Sequence, residues 1–340
     1  MSSKTVSPAP AEAPTPSRRI ASTAAKVAVT LALYGAVLYK IDIHKIWACL
    51  RTAELGWVAL AVATYVAGQW LSAYKWWLLL RPVGLVVPYL RMVGFYFVGM
   101  FFNIFLPTIV GGDAVKAIVL ARETRAVARS TMSVFMERNV GLFALLSIAT
   151  AAAAFAPPVP VMHLSLLSLT LLLSAGFLVA NVVIANRHAY RFVDYLIAMT
   201  PLARIRSRAS SLYDAVVPYR RAWGVITATV GLSFVFQAVV ILVVFLNAKA
   251  LAQDVPVSAL AVFVPLISLA GMLPFSVNGL GIREALYALL FGRIGIPAEV
   301  AVSMALLYFV VTLLASLPGG VVSVAQRGPR RPQVPLWSGG

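Results

Sequence analysis

Apolar stretches of about twenty residues alternate with short basic segments along most of the chain. A transmembrane helix needs about 20 mainly apolar residues, because each residue advances the helix by about 1.5 Å and the bilayer core is about 30 Å thick. About six stretches meet this requirement, and we predict full spans at residues 21–39, 56–80, 131–155, 164–185, 222–246 and 299–325. The pattern therefore predicts an all-α polytopic membrane protein.

Two further apolar stretches are interrupted, and both contain the same features in the same order. The apolar segment ends at Leu106-Pro107 in the first stretch and at Leu273-Pro274 in the second. A short turn with glycine follows, and then a segment with charged residues in its first turn. Proline has no backbone donor and disfavours helix in the residue before it, so each stretch predicts a broken helix.

Basic residues predict the orientation of the chain, because cytoplasmic loops carry an excess of Lys and Arg. The most basic segment, residues 187–221, is therefore placed in the cytoplasm. Both termini then lie in the cytoplasm, and residues 92–121 and 257–293 each return to the face from which they start. We predict two re-entrant broken-helix hairpins, entered from opposite faces and arranged as inverted-topology repeats. Such paired broken helices indicate a translocation site near the membrane midplane.

The predicted organisation is a single transmembrane domain, residues 20–326, between two cytoplasmic tails. Residues 1–19 are rich in Pro, Ala and Ser and are predicted to be disordered, and residues 327–340 form the second tail. Within the basic segment, apolar residues at helical spacing favour an amphipathic helix on the membrane surface. A solvated loop remains the alternative.

Composition and charge indicate which class of molecule the chain binds. Hydrophobic residues make up 61% of the chain, charged residues 11%, and the formal net charge is +17. The basic residues lie between apolar spans, where they meet anionic lipid headgroups, so we expect membrane lipids and no nucleic acid as partners. One cysteine excludes an internal disulfide, and three scattered histidines lack the spacing of metal ligands. We therefore expect no metal and no cofactor.

The first interrupted stretch contains four candidate ligand-binding residues. Gly111 and Gly112 allow close approach to the backbone, and a helix that starts near Ala114 directs its free amides towards an anion. Lys116 adds positive charge for a phosphate group. Asp113 either belongs to this site or caps the helix, a role that aspartate fills very commonly.

The second interrupted stretch contains four further candidates. Gly279 and Gly281 serve the bend, and Arg283 is the stronger phosphate ligand because its planar guanidinium matches phosphate oxygens in two-point contacts. Glu284 follows it directly. The alternative is that Arg283 only pairs with a carboxylate inside the membrane.

Glu137 and Arg138 lie within an otherwise apolar span. A charge at such depth costs roughly 2.5–3.5 kcal/mol, so both need partners. Sequence neighbours point to different sides of a helix, and we expect separate contacts for each. Six residues are predicted to form one polar centre around a phosphate: Asp113, Lys116, Glu137, Arg138, Arg283 and Glu284. A structural ion-pair lock between the two repeats is the alternative.

Other polar and aromatic residues in the spans are assigned to packing. Gln69, Lys75, Asn103 and Gln237 are interpreted as helix–helix hydrogen-bonding residues. The aromatic run that includes Tyr96 is interpreted as a lipid-facing or packing surface.

Three motifs occur in a specific order: Leu106-Pro107 with Gly111-Gly112-Asp113, Glu137-Arg138 followed by Gly141, and Gly279-Leu-Gly281-Ile-Arg283-Glu284. Together they resemble the membrane domain shared by bacterial lysylphosphatidylglycerol synthases/flippases and their stand-alone relatives. The resemblance covers almost all of the chain between the tails. It implies a protein of the bacterial inner membrane that moves a phospholipid, or a polyprenyl- or hopanoid-linked lipid, between leaflets.

Two-part members of that family carry a soluble aminoacyl transferase domain after the membrane region. This chain ends at Gly340 with a short tail, so we expect a stand-alone member that does not synthesise lysyl lipid. Two other functions remain open, a non-catalytic partner of a lipid synthase or glycosyltransferase and a membrane-embedded enzyme acting on a lipid phosphate. The chain has no paired-Asp metal motif and no nucleophile elbow, so we expect no enzyme activity.

Overall fold

The computed structural model describes Gly35 and residues 43–105, 111–155, 160–161, 164–186, 216–272 and 279–325. The helices that we number in these ranges are α1 (Ile43–Arg51), α2 (Leu55–Leu78), α3 (Tyr89–Phe105), α4 (Gly111–Thr124), α5 (Val127–Phe155), α6 (Leu166–Ala185), α7 (Trp223–Ala250), α8 (Val257–Gly271), α9 (Ile282–Gly292) and α10 (Ala298–Ala325). A two-residue antiparallel pair, β1 (Pro160–Val161) and β2 (Leu164–Ser165), precedes α6. The prediction of an all-α fold is confirmed, with this short pair as a local addition.

Five described helices are long and apolar enough to cross a membrane: α2, α5, α6, α7 and α10. They correspond to five of the predicted spans, and the chain is a multi-pass membrane protein. The remaining predicted span, residues 21–39, lies outside the described residues except for Gly35, which is helical. Both predicted tails, and the basic segment as far as residue 215, also lie outside them.

The first interrupted stretch forms two antiparallel helices, α3 and α4. At the start of α4, a Cβ on Gly112 would lie only 2.5 Å from the carbonyl oxygen of Gly99. At the far ends, Arg91 forms an ion pair with Glu123. Helix α4 starts at Gly111, earlier than the predicted Ala114, and its 14 residues extend about 21 Å. The turn with Leu106-Pro107 lies outside the described residues.

The second interrupted stretch has the same arrangement in α8 and α9. A Cβ on Gly279 would lie 3.0 Å from the Cα of Gly271, where the two helices approach the turn. Further along the pair, the rings of Phe263 and Phe291 pack edge to face with their centroids 5.4 Å apart. The segment with Leu273-Pro274 is outside the described residues.

The two halves of the chain contain the same order of helices. A long helix is followed by an antiparallel pair and a second long helix, in α2 to α5 and again in α7 to α10. Helices α2 and α7 pack antiparallel, since Glu54 at the start of α2 donates to the carbonyl oxygen of Ala250 at the end of α7, and Gly68 meets Val239. Helix α10 packs on α3, and α8 packs on α5. Each half therefore contacts the other half through equivalent helices.

Candidate functional site

Four charged residues predicted for the site meet between α4 and α5. The Lys116 ammonium lies 2.7 Å from a carboxylate oxygen of Glu137 and 3.0 Å from one of Asp113. Asp113 also accepts hydrogen bonds from Arg138, at 2.5 Å from Nε and 3.0 Å from Nη2. Contacts therefore run from Glu137 through Lys116 and Asp113 to Arg138 and join the two helices. We call these four residues the first cluster.

Aromatic side chains enclose the inner end of the first cluster. Tyr96 of α3 donates its hydroxyl hydrogen to Glu137 at 3.3 Å. The Lys116 ammonium lies 4.6 Å from the centroid of the Tyr96 ring and 5.5 Å from that of Trp76 on α2. These π faces stabilise a cation that water does not reach. Tyr96 and Trp76 are therefore part of the site, although their aromatic surroundings in the sequence are typical of packing residues.

Arg138 faces away from this enclosed end. Its side chain is 43% exposed, whereas the side chains of Lys116 and Glu137 are each 5% exposed. It is the twelfth residue of the 29-residue α5, roughly 16 Å along the axis from the start of the helix. Asp113 holds one edge of the guanidinium, and no described residue hydrogen-bonds to Nη1. A fixed, accessible cation thus lies far from either end of a membrane helix.

The predicted roles of the α4 residues are only partly retained. Asp113 lies inside the first turn of α4, because the helix starts at Gly111, and its carboxylate is bound by Arg138 and Lys116. The helix-capping interpretation therefore does not describe its contacts. Gly111 and Gly112 are buried, and the close approach expected at Gly112 is made by the α3 backbone at Gly99.

Arg283 and Glu284 form a second cluster at the start of α9. Gly281, with φ +84°, precedes the helix and donates its backbone N–H to Glu284 Oε2 at 2.6 Å. Arg283 donates from Nη2 to Glu284 Oε1 at 3.2 Å. The positive φ angles of Gly279 and Gly281 agree with the predicted bend. Arg283 and Glu284, which are neighbours in the sequence, therefore pair with each other.

A cavity of about 150 Å³ opens beside Arg283 and is lined by Gly271, Gly279, Tyr287 and Tyr308 among others. The Arg283 guanidinium carbon lies 5.7 Å from the ring centroids of both Tyr308 and Phe309 on α10. Its Nε is buried and has no hydrogen-bond partner among the described residues. Unmade hydrogen bonds at a buried charged group are costly, so this atom is a candidate ligand contact.

The six charged residues predicted to form one polar centre occupy two clusters. Among the described residues, no ion pair joins the four residues of α4 and α5 to Arg283 or Glu284. Tyr65 of α2 lies between them, since it packs edge-on against Tyr308 at 6.1 Å and interacts electrostatically with Arg138. The separation follows from the packing, because α9 contacts α8 and α10 whereas α4 contacts α3 and α5.

A larger apolar cavity, of about 690 Å³, is bordered by α5, α6 and α7. Asn139, which follows Arg138, lines this cavity and donates to Asn181 of α6 at 2.5 Å. Phe143 and Phe177 are among the mainly apolar and aromatic residues of its wall. The volume lies within the range of about 300–1,000 Å³ that is usual for ligand pockets.

In the described part of the chain, no three or more His, Cys, Asp or Glu side chains lie together as possible metal ligands. Both clusters present charged side chains, and the second also uses the backbone N–H of Gly281.

Comparison with known proteins identifies the family. A comparison with curated proteins found no match. The family model described as "Lysylphosphatidylglycerol synthase TM region" matches residues 23–319 and so includes both antiparallel helix pairs and both charged clusters. This agrees with the order of motifs from Leu106-Pro107 to Glu284, and the chain belongs to the lysylphosphatidylglycerol synthase transmembrane-region family.

Proposed function

We propose that this protein moves a lipid with a phosphate headgroup between the two leaflets of the bacterial inner membrane. The lipid is a phospholipid or a polyprenyl- or hopanoid-linked lipid. Membership of the family supports a role in membrane lipid metabolism. The observation that carries the proposal is the position of Arg138, an accessible guanidinium deep within a membrane helix and fixed by Asp113.

The physical argument starts from the cost of this position. A charged side chain inside the membrane is expensive and marks a functional site by default. The pair of Lys116 and Glu137 would suffice for a structural lock between α4 and α5, yet Arg138 adds a guanidinium whose free edge faces outwards. That edge can donate two parallel hydrogen bonds to phosphate oxygens. The phosphate of a lipid headgroup would therefore meet hydrogen-bond donors of Arg138 that are already in position.

The apolar cavity between α5, α6 and α7 supports the lipid part of the proposal. Its wall is mainly apolar and aromatic, and it is bordered by the same helix that carries Arg138. Acyl or prenyl chains are as apolar as this wall, so the cavity can accommodate them without exposing them to water. Headgroup and chains could thus contact different faces of α5.

Transport requires access to the bound lipid from both faces of the membrane. Arg283 of the second cluster would provide the second phosphate contact. We propose that α3–α4 and α8–α9 are the two re-entrant hairpins of an inverted repeat. The antiparallel packing of α2 on α7 and the equivalent contacts of the two halves support this arrangement. Rocking of one half against the other would pass the phosphate from Arg138 to Arg283. Both termini then lie in the cytoplasm, and the reaction needs no enzyme chemistry.

Reconstitution tests the proposal. The purified chain is placed in liposomes with fluorescent phospholipids, and leaflet exchange is followed by chemical quenching of the outer leaflet. We expect faster exchange for the wild type and its loss in Arg138→Gln, Asp113→Ala and Arg283→Ala. Lys116→Ala should reduce the preference for anionic headgroups.

Matched controls come from the same helices. Arg129→Gln on α5 and Arg293→Ala after α9 remove exposed cations with the same substitutions and should leave exchange unchanged. Exchange at the protein-free rate in the wild type would overturn the proposal. Mass spectrometry of the same lipids separates the alternatives, because a converted lipid would indicate an enzyme, and neither exchange nor conversion would favour a non-catalytic partner.

A further inference from the structure

Lys75 of α2 is a buried cation that has no polar partner among the described residues. It is 3% exposed, and within the described ranges no hydrogen bond or ion pair reaches its ammonium. The ring centroid of Phe236 on α7 lies 5.5 Å from Nζ. A cation–π contact replaces only part of the hydration that an ammonium loses on burial, so further compensation is required.

Lys75 lies close enough to the first cluster to interact electrostatically with Glu137, Lys116 and Arg138. Within the first cluster two carboxylates balance two cations. Lys75 adds a third cation, which leaves one positive charge in excess. Because charges interact more strongly in a low dielectric, an excess charge at this place attracts an anion.

Open space borders the Lys75 ammonium at Gly141, one helical turn after Glu137 on α5. A Cβ at this position would have Lys75 Nζ as its neighbour at 3.9 Å, and no other atom of the described residues outside its own helix turn within 4 Å. The missing side chain therefore leaves room directly in front of the ammonium. This gives a physical reason for the glycine that follows Glu137-Arg138 in the sequence.

We propose that Lys75 and the space at Gly141 complete an anion site that takes a phosphodiester headgroup with one net negative charge. The inference rests on the proposed function and deepens it by naming the charge of the headgroup. Lys116 and Arg138 are already neutralised by carboxylates, whereas Lys75 supplies the uncompensated charge. A lipid phosphodiester and free phosphate share this chemistry, and the experiment distinguishes them.

The experiment measures ligand binding through thermal unfolding of the full chain in phosphatidylcholine nanodiscs. Phosphatidylglycerol is incorporated, or inorganic phosphate is added, in increasing amounts. The variants are Lys75→Met, which removes the charge and keeps an unbranched side chain, and Lys249→Met as its matched control. Lys249 donates to the exposed Asp254, and this hydrogen bond lowers the pKa of the Asp254 carboxyl.

Phosphatidylglycerol should raise the unfolding midpoint of the wild type and of Lys249→Met, because a ligand that binds the folded state stabilises it. Lys75→Met should bind at least tenfold more weakly. Its midpoint without phosphatidylglycerol should be equal or higher, since the uncompensated charge is gone. Unchanged affinity in Lys75→Met, no response of the wild type, or a response to inorganic phosphate alone would each overturn the proposal.

A second variant covers the case in which Lys75→Met does not fold. Gly141→Ala keeps the ammonium and places a methyl group in the space before it, at an ordinary van der Waals distance. We expect severalfold weaker binding of phosphatidylglycerol with an unfolding midpoint no lower than that of the wild type. Binding equal to the wild type would contradict the site.

Leaflet exchange, measured separately, distinguishes this inference from the proposed function. If phosphatidylglycerol binds through Lys75 and exchange does not accelerate, the transport function fails and the anion site stands. If exchange accelerates and Lys75→Met binds as the wild type does, the anion site alone fails.

Discussion

The two charged clusters occupy equivalent helices in the two halves of the chain, yet they are built differently. The first cluster links two helices, because Lys116 and Asp113 of α4 bind Glu137 and Arg138 of α5. The second lies within α9, where Arg283 pairs with the neighbouring Glu284. A pair across helices fixes their relative position, whereas a pair within one helix moves with it.

This difference indicates that the two halves differ in rigidity. The α4–α5 contact is a rigid element, since moving either helix would separate buried charges. Helix α9 carries its own charge balance, and Glu284 is further held by the N–H of Gly281. It can therefore shift against α10 without leaving an unpaired carboxylate. We expect the second half to contribute the more mobile gate and the first half the fixed site.

The largest loss of stability is expected from Glu137→Gln. The substitution leaves Lys116 with Asp113 alone and adds to the excess positive charge, which should lower the free energy of unfolding by about 3 kcal/mol, at the low end for breaking a buried pair. Reversible unfolding in mixed detergent micelles measures this. The control Glu299→Gln breaks an exposed pair with Lys45 and should cost less than about 1 kcal/mol. Equal losses for the two variants would contradict the expectation that the first cluster stabilises the fold more than an exposed ion pair does.

A smaller loss should follow Gly112→Ala. The added methyl would lie 2.5 Å from the carbonyl oxygen of Gly99 and would separate α3 from α4, at a cost of about 1–3 kcal/mol. In the second half, a methyl group at Gly292, the last residue of α9, would meet no atom within 4 Å, so Gly292→Ala should be nearly neutral. The same unfolding measurement compares them. A neutral result at Gly112 would mean that α3 and α4 separate without cost.

Gly281→Ala tests the bend before α9. Its φ of +84° is unfavourable for a residue with a Cβ, and the substitution should cost about 1–2 kcal/mol. Gly224→Ala, at a position without a positive φ and without close neighbours, provides the reference. Leaflet exchange should fall together with stability, because Gly281 also positions Glu284. Wild-type stability in Gly281→Ala would show that this turn relaxes freely.

The smallest effect on stability is expected from Arg283→Gln. Glu284 keeps the Gly281 N–H and the positive end of the α9 dipole, so the loss should be about 1 kcal/mol, the size of one hydrogen bond. Leaflet exchange should nevertheless disappear, since the proposed second phosphate contact is gone. A loss as large as that of Glu137→Gln would indicate that both clusters are structural locks of the same kind.

Much of the fold could be predicted from local sequence features. The spans from α2 to α10 agree with their apolar stretches because burial in a membrane requires long runs of apolar residues. The charged residues that meet between α4 and α5 were also among the candidates from the sequence, since charges such as Glu137 and Arg138 are conspicuous within an apolar span. Helix ends were less accurate, as at α4, which starts at Gly111 and not near Ala114.

The partners of these charges could not be predicted in the same way. Lys116 and Glu137 are 21 residues apart and meet only because α4 packs on α5. Lys75, assigned to helix packing, lies beside Gly141 because α2 and α5 approach each other. Nothing in the spacing of these residues specifies the approach, since side-chain periodicity determines which face of a helix is polar and not which helix it meets.

The sequence by itself determined the membrane class, the positions of the two interrupted apolar stretches and the small set of charges within apolar segments. Those properties depend on hydrophobicity and on proline and glycine, which act within a few residues of chain. Only the tertiary structure decided that the charges form two clusters, that Arg138 keeps an accessible edge and that Lys75 has no partner among the described residues. Pairing and exposure depend on distances between helices, and those distances are set by the packing of the whole domain.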